Sequence, residues 1–226
     1  MSLNQILEIS ESVGINDQRF VGQVLSRNQR ITTSEVLTVV PFQFTMRPMA
    51  YLLYSQNRDL LSSLRVPDKA LTQYLNFGTT GWQAYVDYMG DMTPAQIAGC
   101  AWQTASANKL LVLGDLPTMP ATKYIVKAGD FMQVGLYSYI ATANVQRGSG
   151  STVTIPVHRN LLTPVTAPID AVIGQYGTTV SMGGTNYTGI TFQVVLKSYP
   201  TYTLIPMATD AYIQWAGDFV AYEVVL

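Results

Sequence analysis

Side chains ordinarily used for proton transfer or nucleophilic attack near neutral pH are scarce: the 226 residues hold one histidine, His158, and one cysteine, Cys100. One histidine excludes a His-built metal cluster, and one cysteine excludes both an intramolecular disulfide and a Cys-built zinc site. A Ser-His-acid triad would have to gather His158 with a serine and an acid from distant segments. No G-x-S-x-G, Walker loop or H-E-x-x-H stands in the sequence. His158 follows the strand-like run Ser151–Val157 and precedes Arg159, which predicts a surface or rim position. Cys100 lies among Ala98, Gly99, Ala101 and Trp102, a setting that predicts a buried, inert thiol. Asp87 with Asp91, and Asp115 with Asp130, are spaced as candidate acid pairs, but nothing fixes one as acid and the other as base, and they read as solvated turn acids. Gly148, Gly150, Gly183 and Gly184 lack the strand-loop-helix context of a phosphate cradle and read as hairpin and loop glycines. The aromatics Trp82, Tyr85 and Tyr88 have the chemistry to stack on a sugar, and equally to supply core and interface area. The sequence therefore assigns no catalytic, cofactor-binding or metal-ligating residue.

Composition narrows the partners. Lys and Arg number 13 and Asp and Glu 14, a formal net charge of -1, so there is no basic excess to neutralise phosphates and specific nucleic-acid binding is not expected. Charged residues are only 12% of the chain, against about 25% in ordinary soluble domains. Thr, Ser, Gln, Asn, Gly and 14 Tyr cover the surface instead, a mix suited to β-rich proteins whose surfaces meet other subunits. Residues 1–30 show no basic segment followed by a continuous apolar run, so no signal peptide is read there. Apolar stretches such as Leu110–Leu113 fall far short of the roughly 20 residues a membrane span needs, and no membrane partner is expected.

The elements that would position these residues are mostly strands. Residues 1–30 read as an N-terminal arm, or a short helix plus strand. Glu35–Thr45 is rich in β-formers, with Phe42 and Phe44 alternating with Gln43 and Thr45. Pro48, Met49, Leu52, Leu53, Leu60, Leu61 and Leu64 are spaced as an amphipathic helix over about 48–64, ended by Val66-Pro67. Thr93 is a candidate N-cap with Pro94 at N1 of a short helix. Strands are predicted at Leu110–Leu113, Tyr124–Val126, Phe131–Ala143 (broken near Gly135) and Ser151–Val157, the last two joined as a hairpin through Arg147-Gly148-Ser149-Gly150. Residues 160–226 carry five charges and read as strands throughout: Ile190–Lys197, Tyr202–Ile205, Tyr212–Trp215 and Phe219–Val225, with a break at Met182–Gly184. Lys127-Ala128-Gly129-Asp130-Phe131 and Trp215-Ala216-Gly217-Asp218-Phe219 echo one another as turns feeding strands, each glycine expected at positive φ.

Several of these segments, in order, resemble the tailed-bacteriophage distal tail and baseplate-hub proteins, those of contractile-tailed cyanophages in particular. Phe44-Thr45-Met46-Arg47-Pro48-Met49 and the helix after it are similar to that family's F-T-M-P-P passage, with Arg47 replacing the first proline. Lys127–Val134 resembles its K-x-G-D-[YF]-[IL]-Q strand, and Ile140–Val145 its Y-x-V-T-A-D-V strand, with Asn144 where Asp is common. Gly148–Ile155 resembles the G-S-G-x-x-T-V hairpin, and Trp215–Phe219 with Glu223 the closing strand. These matches lie between Phe44 and Glu223; residues 74–120 match less clearly and read as an insertion.

The resemblance implies a mainly β fold, a tail-tube-like β-sandwich or barrel with a flanking helix and a second β-rich region. It implies an arm over 1–30, a β domain over 31–160, and strands over 161–226 that complete the same or a second β domain. It further implies a virion structural protein and not an enzyme, without cofactors, forming a hexameric or trimeric ring with itself at the distal tube or baseplate hub. Its neighbours there would be tail tube and baseplate proteins. The alternatives are a head–tail connector or tail-terminator ring, and a carbohydrate-binding module of the adsorption apparatus.

Overall fold

A computed structural model describes residues 3–17, 21–25, 31–35, 41–64, 71–78, 81–105 and 108–225. The chain is mainly β, as its composition predicts, with short strands gathered into several sheets and a few helices. It divides into two compact units, Met1–Leu75 with Gln193–Leu226, and Asn76–Phe192. The first unit is built from the segments on either side of the second.

The first unit begins with helix α1 (Leu3–Glu8), whose Leu3, Ile6 and Leu7 are fully buried. It leads into β1 (Ser10–Asp17), and then β2 (Val21–Leu25) and β3 (Ile31–Glu35) pair antiparallel. The aromatic alternation expected after Glu35 appears as β4 (Phe42–Pro48), in which Phe42, Phe44 and Met46 are buried. Val36, Leu37, Val39 and Val40 lie outside the described residues, as does the Val66-Pro67 helix stop. Strand β1 pairs with β4 from Ser10 opposite Pro48 to Asp17 opposite Phe42, so α1 and β1 form a short helix plus strand, one of the two readings of residues 1–30, and Ser10–Asp17 belong to the sheet.

The expected helix at 48–64 is shorter. Pro48 still belongs to β4, Tyr51 turns the chain at φ 67°, and Leu52–Leu53 form β5. Helix α2 starts only at Tyr54 and runs to Leu64, burying Leu60 and Leu61. The three- and four-residue apolar spacing from Met49 to Leu53 is a case where a short apolar run fits strand and helix alike, and tertiary pairing decided it. Strand β6 (Gln73–Asn76) leads out of the unit.

In the second unit, a 3-10 turn (Gly81–Tyr85) precedes α3 (Pro94–Ala98), which carries the expected Thr93 cap as a full capping box with Gln96. Then follow β7 (Ala101–Trp102), β8 (Leu110–Gly114), β9 (Tyr124–Val126), β10 (Phe131–Val134), β11 (Tyr137–Ile140), β12 (Val145–Gln146), β13 (Val153–Pro156), β14 (Ile169–Asp170), β15 (Val172–Ile173), β16 (Tyr176–Gly177), β17 (Val180–Met182) and β18 (Thr185–Tyr187). Two four-stranded sheets, β11-β10-β15-β16 and β13-β8-β7-β14, enclose a core that includes Trp102, Leu111, Ile125, Met132, Tyr139 and Ile155. The break near Gly135 is present, at φ 59°. The expected hairpin through Arg147–Gly150 is not: β13 pairs with β8 and β12 with β9, and the β11 and β13 segments meet only at a bridge between Ala141 and Val157. Arg147 explains the difference. Its guanidinium donates to the carbonyls of Pro117 and Gly150 and ties the turn back to the 117 loop.

The chain returns through β19 (Thr191–Ser198), β20 (Tyr202–Pro206), β21 (Ala211–Trp215) and β22 (Phe219–Glu223). The five-stranded sheet runs β1-β4-β22-β19-β6, and β20-β21-β5 form a three-stranded sheet. Glu223 accepts the Phe42 amide at 3.1 Å and so secures the start of β4.

The two echoed turns are not equivalent. Gly129 has φ 101°, whereas Gly217 is not in the left-handed region and a Cβ there would meet only Pro200 at 3.9 Å. Gly129→Val is therefore expected to lower stability by more than about 1 kcal/mol. Gly217→Val should melt close to wild type; equal losses in thermal unfolding would contradict the difference.

Candidate functional site

The residues singled out by type turn out to be architectural. His158 is buried, not at a rim: its Nδ1 accepts the Ile140 amide at 3.0 Å, while its own amide donates to the Ile140 carbonyl. Arg159, which the sequence reading passed over, is 1% exposed; its Nη2 donates to the Ser138 carbonyl at 2.7 Å and its guanidinium lies over the Tyr139 ring. Both therefore serve β11, the outer strand of its sheet, by bonding main-chain groups that no neighbouring strand takes. Nothing local in the sequence separates such a pair from two exposed polar residues after a strand.

Asp130 is buried and accepts the amides of Met89 and Lys127 at 2.8 and 2.7 Å; burial raises its carboxyl above the usual range. Asp115 instead stands at φ 54° and accepts from Gln103, so the two acids are held by different turns. Asp91 accepts the Tyr124 amide and Asp87 the Gln175 side chain. Asp87, Asp91 and Asp115 are exposed turn acids, as expected, whereas Asp130 is a turn acid that is buried rather than solvated, because its carboxylate is spent on two main-chain amides. Trp82 and Tyr85 have ring centroids 5.7 Å apart, but Tyr88 leaves that cluster: its hydroxyl donates to the Ile125 carbonyl and accepts the Met92 amide. Among the described residues, no three His, Cys, Asp or Glu side chains stand together as a metal site, and no helix is long and apolar enough to cross a membrane.

The feature with the shape of a site is an open cleft of about 590 Å³ in the first unit. The end of β4 brings Arg47 and Pro48, the turn after it brings Met49 and Tyr51, and the β20–β21 hairpin brings Ile205, Tyr212 and Trp215. A register shift between Ser10 and Ser12 in β1 accompanies Glu11, whose Oε1 stands 3.1 Å from Arg47 Nε. Both side chains of this ion pair are largely exposed, so it positions Arg47 more than it stabilises. Tyr51 is 76% exposed, with its ring edge-on to Tyr212 at 5.8 Å. A non-glycine residue at positive φ, with a large apolar ring held in solvent, is strain that packing within the subunit does not repay. Around the cleft, Met49, Leu204, Ile205 and Met207 are also 40–45% exposed.

The hairpin is fixed at its tip by Asp210, whose carboxylate accepts the Ser55 hydroxyl at 2.6 Å and the Ser55 amide at 3.2 Å, at the start of α2. The Ser55 hydroxyl, helped by the Ala211 amide, holds the Asp210 carboxyl below its ordinary value of 3.8. The cleft offers a mixed surface, in which the Glu11–Arg47 ion pair and Asp218 stand beside the exposed Met49, Tyr51 and Ile205.

No protein-family model matches the chain, and no curated protein matches its sequence.

A group whose carboxyl is lowered by folding stabilises above its ordinary value and loses that contribution as pH falls through the lower one. Asp210→Asn is thus expected to melt below wild type at neutral pH, with the gap closing as pH falls below 3.8. Burial pushes the Cys100 thiol from 9 up to about 11, so at pH 8 the folded protein should react with a thiol reagent about a hundredfold more slowly than the unfolded chain. Equal rates would show that the thiol is accessible.

Proposed function

We propose that this chain is a structural subunit of a bacteriophage tail, forming a ring at the distal end of the tube or in the baseplate hub and joining tube to baseplate. The observation that carries the proposal is the group of exposed large apolar side chains at the cleft and the hairpin, where Met49, Tyr51, Leu204, Ile205 and Met207 stand 40–76% exposed. Large apolar side chains exposed together favour an interaction surface over a solvated face. Arg47, Pro48 and Met49, which belong to the segment resembling the hub family, line this same cleft. The low charge of the chain adds support, since a subunit enclosed on several sides has little surface to solvate. His158, Arg159, Asp130 and Cys100 support a non-catalytic role, because each bonds main-chain groups.

Cryo-EM of the purified protein, and of tailed particles that carry it, tests this. A threefold or sixfold ring at the distal tube is expected, and Tyr51→Glu with Ile205→Glu should abolish ring formation while leaving the melting temperature within a few degrees of wild type. A ring at the neck would favour the connector or terminator. A peripheral position together with glycan retention that Trp82→Ala removes would favour sugar binding.

A further inference from the structure

The β20–β21 hairpin bears on how copies meet. The hydrogen bonds from Ala216 N to Thr201 O and from Met207 N to Asp210 O fix its ladder. With Leu204 opposite Ile213 and Ile205 opposite Tyr212, the alternation places the Thr203 and Ile205 main-chain groups toward β21. Those of Leu204 then point away from it, and so does the ring nitrogen side of Pro206. Strand β20 is the outer strand of its sheet, and Thr203, Leu204, Ile205 and Pro206 are all exposed, so both its faces and its edge are open among the described residues. Outer strands are ordinarily blunted by a charge, and residues 199–209 carry none.

We infer that the β20 edge is a self-association site, where two copies of this chain pair β20 with β20 antiparallel about a two-fold axis through Leu204. The inference rests on reading the hairpin as a subunit contact, not on any place in a virion. The occupant is a second copy because the strand is complementary to itself in this register. The Leu204 amide and carbonyl bond those of the partner's Leu204 reciprocally, Ile205 stands beside the partner's Thr203, and Tyr202 beside the partner's Pro206. These are leucine–leucine, β-branched and aromatic–proline neighbours, with no like charges opposed. Pro206, which lacks an N–H, sits where an outward donor would otherwise be, so it leaves the β20–β21 ladder whole and limits how far the new ladder extends. The result is one six-stranded sheet, β5-β21-β20 continued by the same strands of the second copy. A two-fold contact of this kind is isologous and is distinct from the head-to-tail contacts that close a ring.

Cysteine cross-linking reads the register. In a hydrogen-bonded antiparallel pair the two Cα atoms are about 5.5 Å apart, so Leu204→Cys should be joined to itself by a thiol cross-linker of about 8 Å reach. Met207→Cys, also exposed, would be separated from its mate by about 20 Å, six residues of strand, and should not be joined. Wild type, with only buried Cys100, is the control for background. Leu204→Pro removes the outward amide while sparing the β21 ladder, and should weaken the dimer in sedimentation equilibrium about tenfold or more with unchanged circular dichroism. A Leu204→Cys protein that does not cross-link, or a Met207→Cys protein that links equally well, overturns the contact whether or not Leu204→Pro folds. Rings seen by cryo-EM without a Leu204 link would overturn this contact and leave the ring reading standing; a Leu204-linked dimer that forms no ring would do the reverse.

Discussion

A strand has two edges of main-chain donors and acceptors, and a protein assembled from many short strands must find a partner for each of them. That requirement organises this molecule more than any single core contact does. Its sheets hold two to five strands, so outer strands are frequent, and side chains finish what neighbouring strands do not. His158 and Arg159 complete the outer side of β11. Gln133 extends its amide as if it were main chain, accepting the Thr191 amide at 2.7 Å and donating to the Thr191 carbonyl at 2.9 Å. Glu223 bonds the Phe42 amide, and Asp210 bonds Ser55 at the start of α2. The long polar side chains of a charge-poor protein are spent on its own backbone.

This explains which parts of the structure were legible in the sequence. Alternation identified β4 through Phe42 and Phe44, and turn chemistry identified the breaks at Gly135 and Met182–Gly184, because those signals act within a few residues. The Thr93 cap was equally local. What failed was decided at long range. Leu52 and Leu53 have helical spacing, yet they pair with Ile213 and Tyr212, about 160 residues later in the chain. The turn at Arg147–Gly150 has hairpin composition, but its flanking strands find partners in β9 and β8. Gly217 repeats the setting of Gly129 without its dihedral angle, since identical turn residues are compatible with more than one turn.

The candidate site was the least legible part. The sequence drew attention to His158, Cys100 and the acids because their chemistry is versatile, while the cleft is lined by Tyr51, Tyr212, Trp215 and Ile205, residues that look like ordinary core. Only their exposure distinguishes them. Exposure depends on what covers a residue, and for Tyr51 that is settled by a backbone turn at φ 67° followed by a two-residue strand.

The division of the chain also sets an order of events during synthesis. Asn76–Phe192 is continuous and can close its core as soon as it leaves the ribosome, with Asn76 bonding Thr191 at 2.7 Å across its two ends. The first unit has no such freedom. Its five-stranded sheet places β22 between β4 and β19, so β4 keeps one edge unfilled until β22, more than 170 residues later, has emerged. The second unit is thus finished before the first can be, and a chain interrupted before β22 would carry an intact second unit beside an open sheet.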